Sequence, residues 1–374
     1  MSLPSDLFPQ RLPEVGPGDE VTSNSFDALI GEYSAPLADA LAFAHMDPPT
    51  SVVAANVVGL NAQTNQNLLH PDLSPLASVA ETKVISWLAP FFGMHDGLMC
   101  SGSSLANLTA LWCARESGAT RVVASTDAHL SIAKSAHILG LAFHAVPVDA
   151  AGRIEQLDSV VSEFDCVVLT AGTTARGVVD RLERRDTRWL HVDAAWAGPL
   201  RMTLYSDRLD GIEYADSVAV SAHKWLFQPK DSALIFFKDP ASRELISFGG
   251  AYLVAPNVGI QGSRGAAGLA LLATLMSNGR SGLAATIEKG VQDAETFARF
   301  IDSQSSLELK ALPETGVVNW RPVNSDVQTV AKTLGLTSST VTIDDDLWLR
   351  QVAANPFVDM KAVVDKVMRA TQPI

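Results

Sequence analysis

The chain has only three cysteines in 374 residues, Cys100, Cys113 and Cys166. They are too few and too scattered for a disulfide framework or a zinc knuckle. Each lies in an apolar run and reads as a small buried hydrophobe, of a kind that fits a reducing compartment. Positive charge is also short, with 28 Lys+Arg against 41 Asp+Glu and a formal net charge of −13. Such a balance repels phosphate backbones and anionic lipid surfaces, so neither nucleic acid nor membrane is expected as a partner. An anionic cofactor is still admissible, because a few local donors hold one phosphate. Met1–Val21 lacks an apolar signal core. The longest small-apolar stretch, Ala266–Met276, is about half of what a membrane-spanning helix requires. A cytoplasmic enzyme is the expectation. Also missing are G-x-G-x-x-G, a P-loop and G-x-S-x-G, which disfavours a nucleotide and the usual α/β-hydrolase chemistry. No internal repeat or low-complexity tract appears.

What is present is an ordinary globular balance, 47% hydrophobic and 18% charged, in a chain long enough for one large domain and a smaller one. Residues 1–50 hold several prolines and a helical pattern around Ser25–Phe43, and read as an N-terminal arm. Residues 51–275 form the expected large domain. Within it, 75–115 is helical in pattern, with Val79, Val84, Trp87 and Leu88 spaced for one buried face. Strand and helix signals then alternate. Arg121–Ser125 reads as a strand, His129–Leu139 as a helix, Phe143–Val148 as a strand and Ile154–Glu163 as a helix. Cys166–Thr170, Trp189–Asp193, Ser217–Val220 and Ala233–Phe237 read as further strands. The alternation predicts an α/β fold with a mostly parallel sheet between helices, whose ligands collect at the carboxyl ends of the strands. Residues 276–374 read as a smaller C-terminal α+β domain, opened by an amphipathic helix over Leu283–Ile301.

Nearly every reactive residue falls just after a predicted strand. In Ser221-Ala222-His223-Lys224-Trp225, a lysine beside an apolar strand end is expensive to keep charged. Burial lowers its pKa and supplies the neutral amine that Schiff-base formation with an aldehyde needs. A solvated loop lysine capped by Trp225 is the plainer alternative. In His191-Val192-Asp193-Ala194-Ala195-Trp196, an Asp ends a hydrophobic strand, which is costly unless it meets a cation or a metal. A protonated pyridine nitrogen is such a cation, and small residues at 194 and 195 leave room for a flat ring. A helix N-cap Asp and a metal-binding His-x-Asp pair are the alternatives, and no further ligand cluster supports the second. Ser101-Gly102-Ser103-Ser104-Leu105-Ala106-Asn107 is a small polar turn opening a helix, where exposed N–H groups suit a phosphate. His129, in Asp127-Ala128-His129-Leu130-Ser131, is placed either to stack on a planar ring or to cap a helix. Thr173 and Thr174 follow another strand and offer hydroxyls.

In this order the pieces resemble the group II pyridoxal-phosphate-dependent amino acid decarboxylases of fold type I, which include glutamate, aromatic amino acid, diaminobutyrate and small archaeal tyrosine/aspartate decarboxylases. The resemblance runs from about Asn65 to Gly282 and returns near Trp348-Leu349-Arg350. Its segments are NQNLLHPDLSP, SGSSLAN, DAHLSIAKSAHILGL, TAGTT, HVDAAWAG, SAHKW and GSRG. Each is modest alone, and seven in register are specific. The resemblance implies pyridoxal 5′-phosphate (PLP) bound to Lys224, Asp193 paired with the pyridinium, and His129 stacked on the ring. It further implies Thr173 as the ring-contacting hydroxyl and Ala195 on the other ring face. Gly102, Ser103, Ser104, Ser221 and His223 would hold the phosphate, with Ser263 and Arg264 reaching phosphate or substrate, across a dimer interface in one arrangement. The common family turn is Gly-Gly-Thr, whereas this chain has Gly102-Ser103-Ser104. Similarity of that turn to glutamate decarboxylases does not establish glutamate as substrate.

The implied reaction is loss of CO2 from an L-amino acid to leave the amine, with the protein choosing which bond breaks and the cofactor acting as electron sink. Tyr252, in a short loop between Ser247 and Ser263, is a candidate proton donor, and packing beneath the loop is its alternative. Arg350 and Arg321 are candidates for the substrate carboxylate, with surface ion pairing as the alternative for each. Rivals keep the cofactor and change the bond: carbon–carbon lyase, aminotransferase or desulfurase chemistry, or oxidative decarboxylation. A catalytically silent PLP-binding protein is the rival from another class. A homodimer is expected from the resemblance alone.

Overall fold

The computed structural model describes residues 7–251 and 253–372. Helix α1 (Asp19–Tyr33) buries none of its residues. Expected to run on to Phe43, it stops at Ser34, because Pro36 two positions later disfavours helical backbone ahead of it. Helices α2 (Val52–Thr64) and α3 (Pro75–Leu88) follow. The helical pattern over 75–115 divides around a strand, β1 (Asp96–Cys100), before α4 (Ser103–Glu116) begins. Gly97 explains why that strand was hard to see. A Cβ there would lie 2.5 Å from the Ile235 carbonyl oxygen, so close strand packing demands glycine at a position a strand reading would rather give to a β-branched residue.

The alternation then appears as β2 (Arg121–Ser125), α5 (Leu130–Leu139), β3 (Ala142–Val146), β4 (Asp165–Thr170), β5 (Trp189–Asp193), β6 (Ser217–Ser221) and β7 (Ala233–Phe237). The helix expected over Ile154–Glu163 is absent, reduced to a single 3-10 turn at Leu157–Ser159. Ile154 bridges to Val148 and gives its N–H to Asp180 at 2.9 Å, and Gln156 adopts a left-handed φ of 49°. These tertiary ties outweigh the weak helical pattern.

The seven strands lie in the order β1-β7-β6-β5-β4-β2-β3. β2, β3, β4, β5 and β6 run parallel, and β7 alone opposes both of its neighbours. Buried on both faces, the central strands read as continuous apolar runs rather than as alternating ones. Alternate residues of β4 nevertheless serve different layers. Val167 and Leu169 join the core beneath α3, whereas Cys166 and Val168 join the core beneath α4 and α5. A two-stranded ribbon, β8 (Ser247–Phe248) with β9 (Asn257–Val258), precedes the long helix α6 (Ala267–Asp302). That helix breaks at Gly279, whose φ is 61° and ψ 176°.

Beyond α6 come β10 (Leu307–Leu309), β11 (Val317–Pro322), α7 (Val327–Leu334), β12 (Ser339–Ile343), β13 (Asp346–Val352) and α8 (Met360–Ala370). The four strands form an antiparallel sheet in the order β10-β11-β13-β12. Its core gathers Trp320, Leu349, Val363 and Val367 around Phe297 of α6 and Phe43 from the N-terminal segment. Two indoles join this part to the larger sheet. Trp196 and Trp225 pack with centroids 4.1 Å apart and ring planes tilted by 35°, the first donating to the Thr315 carbonyl at 2.6 Å and the second to the Ala353 carbonyl at 3.1 Å. Among the described residues no helix is long and apolar enough to cross a membrane.

Phe297 meets Phe43 edge-on at 5.7 Å and Trp320 at 6.2 Å, with no exposed surface. Phe297→Ala is expected to lower unfolding stability by about 3–5 kcal/mol, read by urea denaturation. Val15→Ala, at a position 84% exposed, should change it by less than about 0.5 kcal/mol.

Candidate active site

Five loops leave the carboxyl ends of β1, β2, β4, β5 and β6 on the same edge of the sheet, and they enclose a small cleft. Its walls include Ser103, His129, Thr174, Asp193, Ala195 and Lys224. Lys224 turns one side toward the cleft, while its amine lies deep among protein atoms. Burial, first of all, holds its pKa below the ordinary lysine value, with the Asp193 charge opposing that effect. Among the described residues no carboxylate lies within ion-pair distance of the amine. An unpaired buried ammonium is costly, so the neutral, nucleophilic form is favoured.

Asp193 ends β5 with both carboxylate oxygens held. Oδ1 accepts the Ala195 N–H at 3.1 Å, and Oδ2 accepts from the Asn107 amide at 2.9 Å. His129 caps α5: its Nδ1 accepts the Ser131 N–H at 3.2 Å and lies 2.8 Å from the Ser131 hydroxyl. An Nδ1 that accepts leaves the proton on Nε2. Burial lowers the His129 pKa, so the ring at the cleft is neutral and flat.

Whether a phosphorylated aromatic aldehyde fits is tested by the polar atoms left over. Ser221 Oγ and His223 Nδ1, in the segment leading to Lys224, and Thr170 Oγ1, of a residue lining the cleft, are buried without a partner. Buried polar atoms are usually satisfied, so three orphans on the segments that carry the lysine and line the cleft point to a missing polar group. The Ser103 and Ser104 N–H groups open α4 ahead of its first internal bonds, which run from Leu105 and Ala106 to the Gly102 carbonyl. Gly102 stands at φ 95°, and a Cβ there would meet nothing within 4 Å, so the space before the helix end is open. Helix N-terminus, orphan hydroxyl and orphan imidazole together suit a phosphate. Burial holds His223 down to about 4, so it would donate or accept as a neutral ring.

Other expected residues stand elsewhere. Thr173, expected to offer its hydroxyl to the ring, accepts the Val178 N–H at 3.2 Å in its own turn and keeps its O–H proton to donate, while Thr174 lines the cleft. Ser263 is exposed and accepts from Asn67 at 3.1 Å. Arg264 grips Glu81 through two nitrogens at 2.6 and 2.7 Å, so within this chain its charge is already engaged. Arg321 pairs with Glu308 and Asp346 over the Trp348 ring, a surface cluster away from the cleft. Arg350, on β13, is partly buried with its Nε unpartnered, and its charge is felt at Lys224. Tyr252 lies outside the described residues. Asn107 and His191 stand inside the motifs, the first with no expected role and the second only as half of the alternative metal-binding pair. The spacing of Ser103 and Asn107, four apart on one helix face, was the available signal.

A mostly parallel sheet with a lone buried amine, a held carboxylate and a flat imidazole at its carboxyl edge suits an enzyme built around a carbonyl cofactor with a cationic ring. The chain belongs to the pyridoxal-dependent decarboxylase family, whose conserved domain matches residues 36–322, and it is by that membership a pyridoxal-dependent carboxy-lyase of amino acids. It is 33% identical over 363 residues to the L-2,4-diaminobutyrate decarboxylase of Rhizobium meliloti, covering 86% of this chain and 72% of that protein. To the aspartate 1-decarboxylase of Aliivibrio fischeri it is 28% identical over 329 residues, covering 71% of this chain and 60% of that one. The chain is thus well short of these relatives' full length. The crystal structure of mouse CSAD superposes with a TM-score of 0.87 at 22% identity, covering 98% of this chain and 90% of the other. At that identity the likeness speaks for the fold.

The lowered pKa of Lys224 carries a pH signature, since only the neutral amine attacks an aldehyde. Uptake of PLP by the cofactor-free protein should accelerate as pH rises, with a midpoint below the ordinary lysine value of about 10.4. Asp193→Asn removes a charge that favours the ammonium and should move the midpoint lower still. His129 is the other titratable side chain lining the cleft. Stopped-flow absorbance across pH would read both, and an unshifted midpoint near the free-lysine value would contradict the burial argument.

Proposed function

We propose that this chain removes the α-carboxylate of an L-amino acid as CO2 and releases the amine, with PLP attached to Lys224. The observation that carries the reading is the buried amine without an acidic partner, set in one cleft with Asp193 and His129. When bound, PLP supplies an electron sink for the pair left behind by the departing carboxylate. The protein's own share is positional. Asp193 lies where it would keep the ring nitrogen protonated, and His129 presents a neutral ring for stacking. Ser103, Ser104, Ser221 and His223 offer phosphate donors. Ala195 leaves space on the opposite ring face, and Thr174 takes the hydroxyl role first expected of Thr173. Arg350, a desolvated guanidinium with an unpartnered Nε, is our candidate for the substrate carboxylate. Tyr252 is kept as candidate proton donor on sequence grounds.

We also propose a homodimer. Val21, Phe26 and Ile30 of α1 are 55%, 48% and 61% exposed, and Leu60, Leu76 and Val79 on α2 and α3 are similarly bare. An isologous partner would cover such faces, and would bring Ser263 and Arg264 toward a neighbouring cleft. A cytoplasmic setting accords with three buried free thiols.

Purified protein with PLP should release CO2 and amine in equal amounts, without stoichiometric keto acid. A panel should include diaminobutyrate, aspartate, cysteine sulfinate and aromatic amino acids. Keto acid in step with turnover would favour transamination, and no turnover with any amino acid would favour a silent PLP-binding protein. Borohydride should fix the cofactor on the peptide carrying Lys224, and Lys224→Ala should lose activity on the order of a thousandfold or more. Arg350→Met should raise KM by roughly ten- to a hundredfold, the worth of a charge-assisted hydrogen bond. An unchanged KM would remove Arg350 from substrate recognition.

A further inference from the structure

We propose that His191 is a positioning residue, the middle of a one-way chain of hydrogen bonds that runs from the Trp189 indole to the Asp193 carboxylate and sets the plane of that carboxylate. The inference rests on the PLP reading above.

The direction follows from the donors. The indole N–H of Trp189 can only donate, and it does so to Ser217 Oγ at 2.8 Å. The Ser217 hydroxyl, accepting there, is free to donate to His191 Nδ1 at 2.9 Å. At the other end, Asp193 is acceptor-only as a carboxylate, so the side of Asn107 facing it at 2.9 Å must be the amide nitrogen. The same nitrogen reaches Ser131 Oγ at 2.9 Å with its second hydrogen. Asn107 therefore turns its Oδ1 to His191 Nε2 at 3.0 Å, and that contact is a bond only if Nε2 carries the proton. The Asn107 end therefore sets the tautomer, Nε2–H with a bare Nδ1; the Ser217 carbonyl, 3.2 Å from Nδ1, then receives no proton from the ring, and the Ser217 hydroxyl is the donor to it. The ring has no exposed surface, and its burial holds the pKa down to about 4, so a second proton is absent at neutral pH.

β5 and β6 sit side by side in the sheet, so the bonds run from Trp189 at the start of β5 to Ser217 on β6, back to His191 on β5, across to Asn107 on α4 and back to Asp193 at the end of β5. Without His191, Asn107 Oδ1 loses its donor, and the amide is held only through the two hydrogens of its nitrogen. Ser131 shares the same amide and also holds His129, so one side chain, Asn107, indexes both the acid and the ring that flank the cofactor space. The charged or titratable groups coupled to Asp193 are His129 and Lys224 from the cleft side and His191 from behind.

The test has two readouts besides turnover. In PLP-saturated protein labelled with 15N-histidine, the resonance lost in His191→Gln should report a protonated Nε2 and an unprotonated Nδ1. In equilibrium PLP titrations, His191→Phe should bind roughly tenfold or more weakly, equivalent to about 1.4 kcal/mol. His191→Gln, whose amide N–H can still reach Asn107, should stay within about threefold of the parent. If His191→Phe does not fold, Ser217→Ala serves in its place: it removes the donor to Nδ1 and should give a tautomer mixture. An Nδ1–H tautomer, a His191→Phe protein with the parent's PLP affinity, a Gln variant as impaired as Phe, or an unchanged tautomer in Ser217→Ala each overturns the chain. Parent protein that takes up no PLP overturns the functional reading instead.

Discussion

A carboxylate at the end of a strand buried on both faces is the constraint around which the rest is arranged. Asp193 is buried there, where a polar group without partners is costly, and the fold supplies one backbone N–H and one amide from a neighbouring helix. Those two bonds hold the acid from behind and leave its remaining lone pairs turned to the cleft. The unpaired amine of Lys224 is the counterpart. It is close enough to feel the acid and too far to form an ion pair with it, so each keeps its capacity for a third party. A direct Lys224–Asp193 bridge would satisfy both groups and leave nothing for a cofactor.

Most of this edge was legible in the chain, because parallel α/β architecture converts order along the sequence into position. Five strands end within a few residues of Ser101, His129, Thr173, Asp193 and Lys224, and a reader who sees the strands sees the loops gather. β2, β5 and β7 were readable to the residue, since their runs are apolar and bounded by charge or turn residues. Legibility failed where tertiary contact overrode local pattern. Gly97 hid β1 inside a helical stretch, and Asp180 pulled Ile154 out of a would-be helix by taking its N–H.

At the site the division is similar. Motif order named the acid, the amine and the imidazole, but not the hydroxyl that faces them. Thr173 and Thr174 are neighbours of identical chemistry, and only the turn closing on Val178 decides which lines the cleft. For Arg321 the ion-pair alternative holds, and for Arg264 the pairing was not foreseen, because Glu81 lies at a sequence distance that no local pattern spans. The Asn107–His191 bond was invisible for the same reason: it joins two motifs, each of which looked complete alone.

The paired indoles give the small C-terminal sheet a part in the chemistry it does not touch. Trp225 is the residue after Lys224, and its N–H is anchored on Ala353, while the turn at Gly316 presses against its ring. The reactive turn is therefore moored at its far side to the last strands as well as to its own sheet, where the Ala222 and His223 N–H groups meet the Ser232 carbonyl. A tilt of those strands against the larger layer would carry Trp225 along and swing the amine relative to Asp193. Any hinge motion about the break in α6 is in this way geared to the reach of the lysine.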